Sequence, residues 1–386
     1  MDGKRVERVL VTPAVAGAVV AFALDERARD AADQARGPFL LVAGLLMLGL
    51  VADRDGVFAW ASARLLGVTD HPRRLLAVAL ALVAVVTALL NLDTAVVFLT
   101  PVLIGAARGA GVGVEPFLYG SVLMANASSL LLPGANLTNL IVLAGEPVSG
   151  ATFVARTLPA ALATAVVTAL GLMARQRRRT REEARRDGDP GARATRGPEA
   201  DADLDRAAVP RPRALGVVAC AVAAVLVLAL PNPGLPVLAV GVLAVLTRRD
   251  VGRAAVIEAV GPLALLGLFS VAVLLGALAR AWSGPADLLA SASPAETTAI
   301  GALAAILVNN LPAAVLLSAT PPPHPRALLL GLNVGPNLAV TGALSSYLWF
   351  KAAHAAGERP SARRFSLIGA PLAVVAMAAA LLTGAH

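Results

Sequence analysis

The sequence predicts an all-α polytopic membrane protein made of two related halves, each with a broken, polar-tipped element inside the bilayer. Three observations lead there. Of 386 residues, 57% are apolar and only 15% charged, with a mean hydropathy of +0.74, against roughly 45–50% apolar and about 25% charged in a soluble domain. The Ala, Val and Leu residues come in runs rather than at period 2 or 3.6, so most helices are apolar all round, which suits lipid. The polar interruptions of those runs fall in the same order twice along the chain.

Apolar segments lie near 9–24, 38–52, 75–107, 117–145, 151–174, 214–230, 234–247, 255–281, 298–320, 327–350 and 365–384. The first is followed by DERARDAADQAR instead of a small-residue cleavage site, which reads as a retained helix and not a signal peptide. Segments 75–107 and 298–320 are interrupted by Asn91-Leu92-Asp93-Thr94 and by Asn309-Asn310-Leu311-Pro312. Segments 117–145 and 327–350 are interrupted by PGANLTN (133–139) and NVGPNLAVTG (333–342). Each half therefore runs from simple spans to an Asn-tipped arm, then a segment broken at Gly, Pro and Asn, then one more span. Residues 175–213 are Arg-, Asp-, Glu-, Pro- and Gly-rich and cannot bury a core. They divide the chain into transmembrane halves 1–174 and 214–386 joined by a loosely ordered linker.

The net charge of +8 is not a nucleic-acid footprint, because the arginines sit between apolar runs with no aromatic-rich basic face. Topology accounts for them. With 56–68 as an interfacial amphipathic helix (Phe58, Trp60 and Leu65 on one side) and the Asn-tipped segments as re-entrant hairpins, the chain crosses nine times. A cytoplasmic N-terminus then places 27 of the 33 Lys and Arg residues inside, linker included.

Backbone broken at membrane depth survives only where protein or a water-filled cavity satisfies it, and carriers aim the freed helix N-termini and carbonyls at a solute or ion. Asp93 is the one acidic residue deep within an uncharged stretch. An intramembrane carboxylate is costly and marks either an ion or proton site or a hairpin cap. Asn91 and Thr94 flank it. Asn136, Thr138, Asn139, Asn309, Asn310, Asn337 and Thr341 supply neutral donors and acceptors for a small oxygen-rich solute or a hard cation, or else hold helices together. Glu146 and Glu258 lie at span ends, where solvated roles are expected. The single cysteine, Cys220, excludes disulfides and thiolate clusters. No HExxH, Walker A or GxSxG sequence is present, which speaks against an enzyme and against any cofactor or catalytic metal.

GVFAWAS (56–62), NLDTAVVFLTP (91–101), VNNLP (308–312) and GLNVGPNLAVTGALSSYLW (331–349) resemble the arsenite/antimonite efflux pump (ArsB) family of the ion transporter superfamily, across roughly 38–174 and 255–386. The resemblance implies two inverted repeats whose re-entrant hairpins meet near the midplane. It departs from the family at the first tip, where Leu92 and Thr94 replace the usual neighbours of Asp93. The resemblance implies proton-coupled efflux of arsenite or antimonite, and the wider superfamily implies sodium- or proton-coupled carriage of organic anions or sodium/proton exchange. From another class comes a noncatalytic channel subunit for a soluble ATPase. The expected partners are thus a small solute, a coupling proton or sodium ion and the lipid bilayer, with an ATPase subunit or a second copy of the chain left open.

Overall fold

The computed structural model describes residues 3–68, 71–144, 148–187 and 211–384; Glu146 lies outside them. Among the described residues the chain is helical with no strand. The first half comprises α1 (Gly3–Leu24), α2 (Glu26–Arg54), α3 (Val57–Val68), α4 (Pro72–Leu89), α5 (Leu92–Gly109), α6 (Glu115–Ser128), α7 (Leu137–Leu143) and α8 (Gly150–Asp187). Then come α9 (Ala214–Ala229), α10 (Gly234–Thr247), α11 (Arg253–Val260), α12 (Pro262–Ala281), α13 (Gly284–Ala290), α14 (Pro294–Val308), α15 (Asn310–Leu317), α16 (Pro325–Val334), α17 (Leu344–Ala355) and α18 (Ala362–Leu381).

The halves repeat, and the repeats are inverted. In order, α2 to α8 correspond to α12 to α18, and α1 corresponds to α10. The packing is reciprocal, as a two-fold axis requires: α1 lies on α12 while α10 lies on α2, and α5 lies on α17 while α15 lies on α7. Equivalent helices also meet each other, α2 with α12, α6 with α16 and α8 with α18. Among the described residues six helices are long and apolar enough to cross a membrane: α2, α4, α5, α8, the α11–α12 pair and α18; α9, α10, α14 and part of α1 are shorter apolar helices.

Glycines let backbones touch where the repeats interlock. A Cβ on Gly44 of α2 would lie 2.7 Å from the Leu238 nitrogen of α10, the small-residue contact that membrane helices use in place of a hydrophobic drive. In each half the first hairpin arm runs parallel to the segment before the break. Gly120 of α6 faces Leu80 of α4, and Gly331 and Gly335 of α16 face Thr298 and Ala302 of α14. Tip and break therefore reach the same depth together.

The charged stretch after residue 25 forms the first turns of α2, capped by Asp25, whose carboxylate accepts from the Arg27 nitrogen at 2.9 Å. Ala28, Ala31, Ala32 and Ala35 bury one face there at helical spacing while the charges keep the other. Residues 175–187, expected in the linker, continue α8, since Arg and Glu are good helix formers. Phe58 is buried and stacked on Phe98 at 4.7 Å, so α3 rests on the hairpin with that ring inward, while Trp60 lies under the Arg64 guanidinium.

Buried Asp55, at the end of α2, ties three elements. It accepts from the Gly216 nitrogen of α9 at 2.6 Å and pairs with Arg248 at the end of α10. Arg248 also holds Asp250 at 2.6 Å, and that hydrogen bond keeps the Asp250 carboxyl down at about 2.

Candidate functional site

Each hairpin turns on an asparagine. At the first tip Asn91 caps α5, its side-chain oxygen accepting from the Thr94 nitrogen at 2.7 Å. At the second, Asn309 holds φ 75°, which an asparagine tolerates better than most residues, and its oxygen accepts from the Leu311 nitrogen at 3.4 Å. Asn309 Nδ2 donates to the Thr341 carbonyl at 3.3 Å, and Thr341 Oγ1 donates to the Ile306 carbonyl at 3.0 Å. So the second tip is sewn to the second break. The first tip meets the first break by packing, α4 against the 133–135 turn.

The broken segments form one polar junction across the two-fold axis. Asn333 Oδ1 accepts from Ser129 Oγ at 2.5 Å and from Asn136 Nδ2 at 2.7 Å, while its Nδ2 donates to Asn139 Oδ1 and to the Leu329 carbonyl, both at 2.8 Å. Asn126 Nδ2 donates to Asn337 Oδ1 at 2.9 Å, Asn337 Nδ2 donates to the Leu123 carbonyl at 3.0 Å, and Ser345 Oγ donates to Asn126 Oδ1 at 3.2 Å. The Asn136 oxygen caps α7 and Asn139 Nδ2 donates to the Ser129 carbonyl at 2.7 Å. Of the expected site residues, Asn136, Asn139 and Asn337 thus spend their amides on one another's helices. Asn126, Ser129, Asn333 and Ser345 were not singled out from sequence, yet all are buried in this junction.

What stays unpaired lies mostly in the first half. Asn91 Nδ2, Thr94 Oγ1 and Thr138 Oγ1 are buried without a hydrogen-bond partner, as is Ser346 Oγ just beyond the second break. Buried polar groups are nearly always satisfied, which makes these atoms candidate contacts for a solute or ion; the Thr87, Thr168 and Thr297 hydroxyls, within α4, α8 and α14, are unpaired as well. Asp93, partly exposed in the second position of α5, receives no hydrogen bond from any described residue, and the cap belongs to Asn91. A carboxylate so placed is stable protonated or against a cation. With the caps Asn91 and Asn309 equivalent, the position of Asp93 is taken in the second half by Leu311, beside buried Asn310 at the start of α15. Four helices, α5, α7, α15 and α17, begin at a tip or a break and turn their partly positive N-terminal ends there.

A family model described as citrate transporter (CitMHS) matches residues 6–332. The chain belongs to the citrate transporter family. It is a transporter and a multi-pass membrane protein, and the narrower expectation of the arsenite pump family goes beyond that match. The crystal structure of the Alcanivorax borkumensis YdaH transporter, described as having an unusual topology, is similar in fold, with a TM-score of 0.54 at 15% identity over 100% of this chain and 89% of that one. No match is found among curated proteins.

Proposed function

We propose that this transporter works as a secondary active carrier in the cell membrane, with its N-terminus and linker cytoplasmic, and that Asp93 takes up and releases the coupling proton or cation. The carrying observation is the contrast within the site: an unpaired carboxylate at one tip, unpaired hydroxyl and amide groups around it, and no Lys, Arg or His on either tip or break. A neutral trihydroxide such as arsenite or antimonite satisfies those groups without setting an anion beside Asp93, and efflux against inward proton flow is the reading this favours. The solute sits against tip and break through oxygen contacts; protonation of Asp93 from one side and release to the other ties its passage to the gradient.

The second reading is carriage of an organic anion such as citrate, favoured by the family description and by the four helix N-termini at the site. Here a cation on Asp93 would neutralise the repulsion before the anion binds. Everted vesicles energised with a proton or sodium gradient, and given arsenite, citrate and sodium in parallel, separate the readings. Arsenite accumulation that is abolished by dissipating the proton gradient is expected. Citrate movement without arsenite movement would reject the first reading, and failure of all three to respond to a gradient would reject both.

A further inference from the structure

The helix that leaves the first repeat carries one exposed stripe for its whole length. In α8, Leu158, Leu162, Val166 and Leu170 recur every fourth residue and are 38%, 50%, 52% and 59% exposed, far more than a core-facing stripe would be. That face meets lipid. Continued at helical spacing, the same face carries Arg177, Arg178 and Arg181, all exposed. The opposite face is spoken for: Arg175 and Arg179 hold Glu115 of α6 at 3.3 and 2.5 Å, joined there by Arg364 of α18 at 3.0 Å.

Depth decides what these arginines meet. At about 1.5 Å per residue, Arg181 stands about 10 Å beyond the last apolar residue of the span, Ala174. The headgroup layer on each side of the hydrocarbon is roughly 5–8 Å thick, and an arginine side chain bends back across that difference. Helix α18, packed against α8, repeats the pattern, with exposed Arg363 followed by Leu367 and Val374, 62% and 57% exposed. A soluble protein would have to displace lipid to reach guanidinium groups set on the lipid-facing stripe itself.

We propose that this end of α8 and α18 is a docking surface for anionic phospholipid headgroups, whose phosphates pair with the exposed guanidinium groups of Arg177, Arg178 and Arg181. A juxtamembrane arginine is worth about five-fold in attraction to an anionic surface, so removing three weakens the association by on the order of 100-fold. The assay is native mass spectrometry of the purified, delipidated full chain, titrated with phosphatidylglycerol and with phosphatidylcholine of identical acyl chains. The parent should retain phosphatidylglycerol at least ~10-fold more tightly, and the preference should fall as salt rises. The combined variant Arg177→Gln, Arg178→Gln, Arg181→Gln should lose that preference at an unchanged melting temperature, while Arg27→Gln with Arg156→Gln, at the other end of the bundle, should keep it. Equal retention of both lipids by the parent would overturn the proposal and leave the arginines to an acidic soluble partner. So would a salt-independent preference, which needs no variant to observe, or a triple variant that binds phosphatidylglycerol as the parent does.

Discussion

Replacing Asn333 with alanine tests whether the polar junction is structural. Its oxygen accepts from Ser129 and Asn136 and its nitrogen donates to Asn139, all between the two repeats. Ser129 Oγ keeps a second partner, the Asn126 carbonyl at 2.8 Å. Asn136 Nδ2 and Asn139 Oδ1 have none, and both residues are at least 96% buried. Two orphaned buried groups at about 1–3 kcal/mol each give about 2–6 kcal/mol. Side-chain hydrogen bonds between membrane helices average nearer ~0.6 kcal/mol, because the unfolded chain in the membrane finds other partners, so three lost bonds give about 2 kcal/mol. The bounds meet at the low end, and a loss of about 2–4 kcal/mol is expected. Reversible unfolding in mixed micelles of dodecylmaltoside and dodecyl sulfate measures it. A change below about 0.5 kcal/mol would refute the reasoning, as it would mean that water or a relaxed rotamer satisfies the orphans.

Asp93→Asn should insert and fold normally yet lose gradient-driven accumulation in vesicles, keeping substrate-for-substrate exchange; accumulation equal to the parent's would exclude Asp93 from coupling. At the second tip, Asn309→Gly should be better tolerated than Asn309→Ala, because glycine accepts φ 75° and alanine adds about 1 kcal/mol of backbone strain to the lost Thr341 contact; thermal melts in detergent rank the two. Cys220→Ser should leave transport rates unchanged, since Cys220 on α9 packs against the apolar core. The Asp250 carboxyl is depressed to about 2 in the folded chain by Arg248. Its stabilisation is therefore complete above its ordinary range near 4 and is lost as pH falls towards 2, so Asp250→Asn should flatten the dependence of the melting temperature on pH in that window, lowering the melting temperature near neutrality and matching the parent towards pH 2.

The repeat was legible because its punctuation is chemical. Asn91, Asn309 and the Pro-Gly and Gly-Pro pairs interrupt apolar runs at matching places, and such interruptions in a membrane chain have few physical causes. What holds the interruptions in place was harder to read. Asn333 opens a stretch recognisable as a break, but nothing local says that it bonds three residues almost 200 positions away. Asn126 sits within an apolar run with no Gly or Pro beside it, and its only signal was polarity inside a span, which helix-to-helix bonding commonly explains. Asp55 has no local sign of its role, because its partner Arg248 arrives from the other repeat.

The junction and the unpaired atoms divide the candidate residues by what they can afford to do. Asn136, Asn139 and Asn337 already satisfy their amides across the two-fold axis, so a solute binding to them would have to break bonds that hold the repeats together. Asn91, Thr94 and Thr138 have contacts left to make, and Asp93 beside them has a charge left to neutralise. The second tip is the reverse case: Asn309 is tied to Thr341, and Leu311 stands where the first tip has its carboxylate. Two repeats related by symmetry have therefore diverged in chemistry. At the tips and breaks the first half keeps more unpaired polar atoms and the one carboxylate, while the second keeps Ser346 Oγ and no charge. On the proposed function, ion coupling belongs to the first hairpin, and Asp93 and Thr94, rather than the better-buried asparagines of the junction, are the side chains whose substitution should change transport without changing the fold.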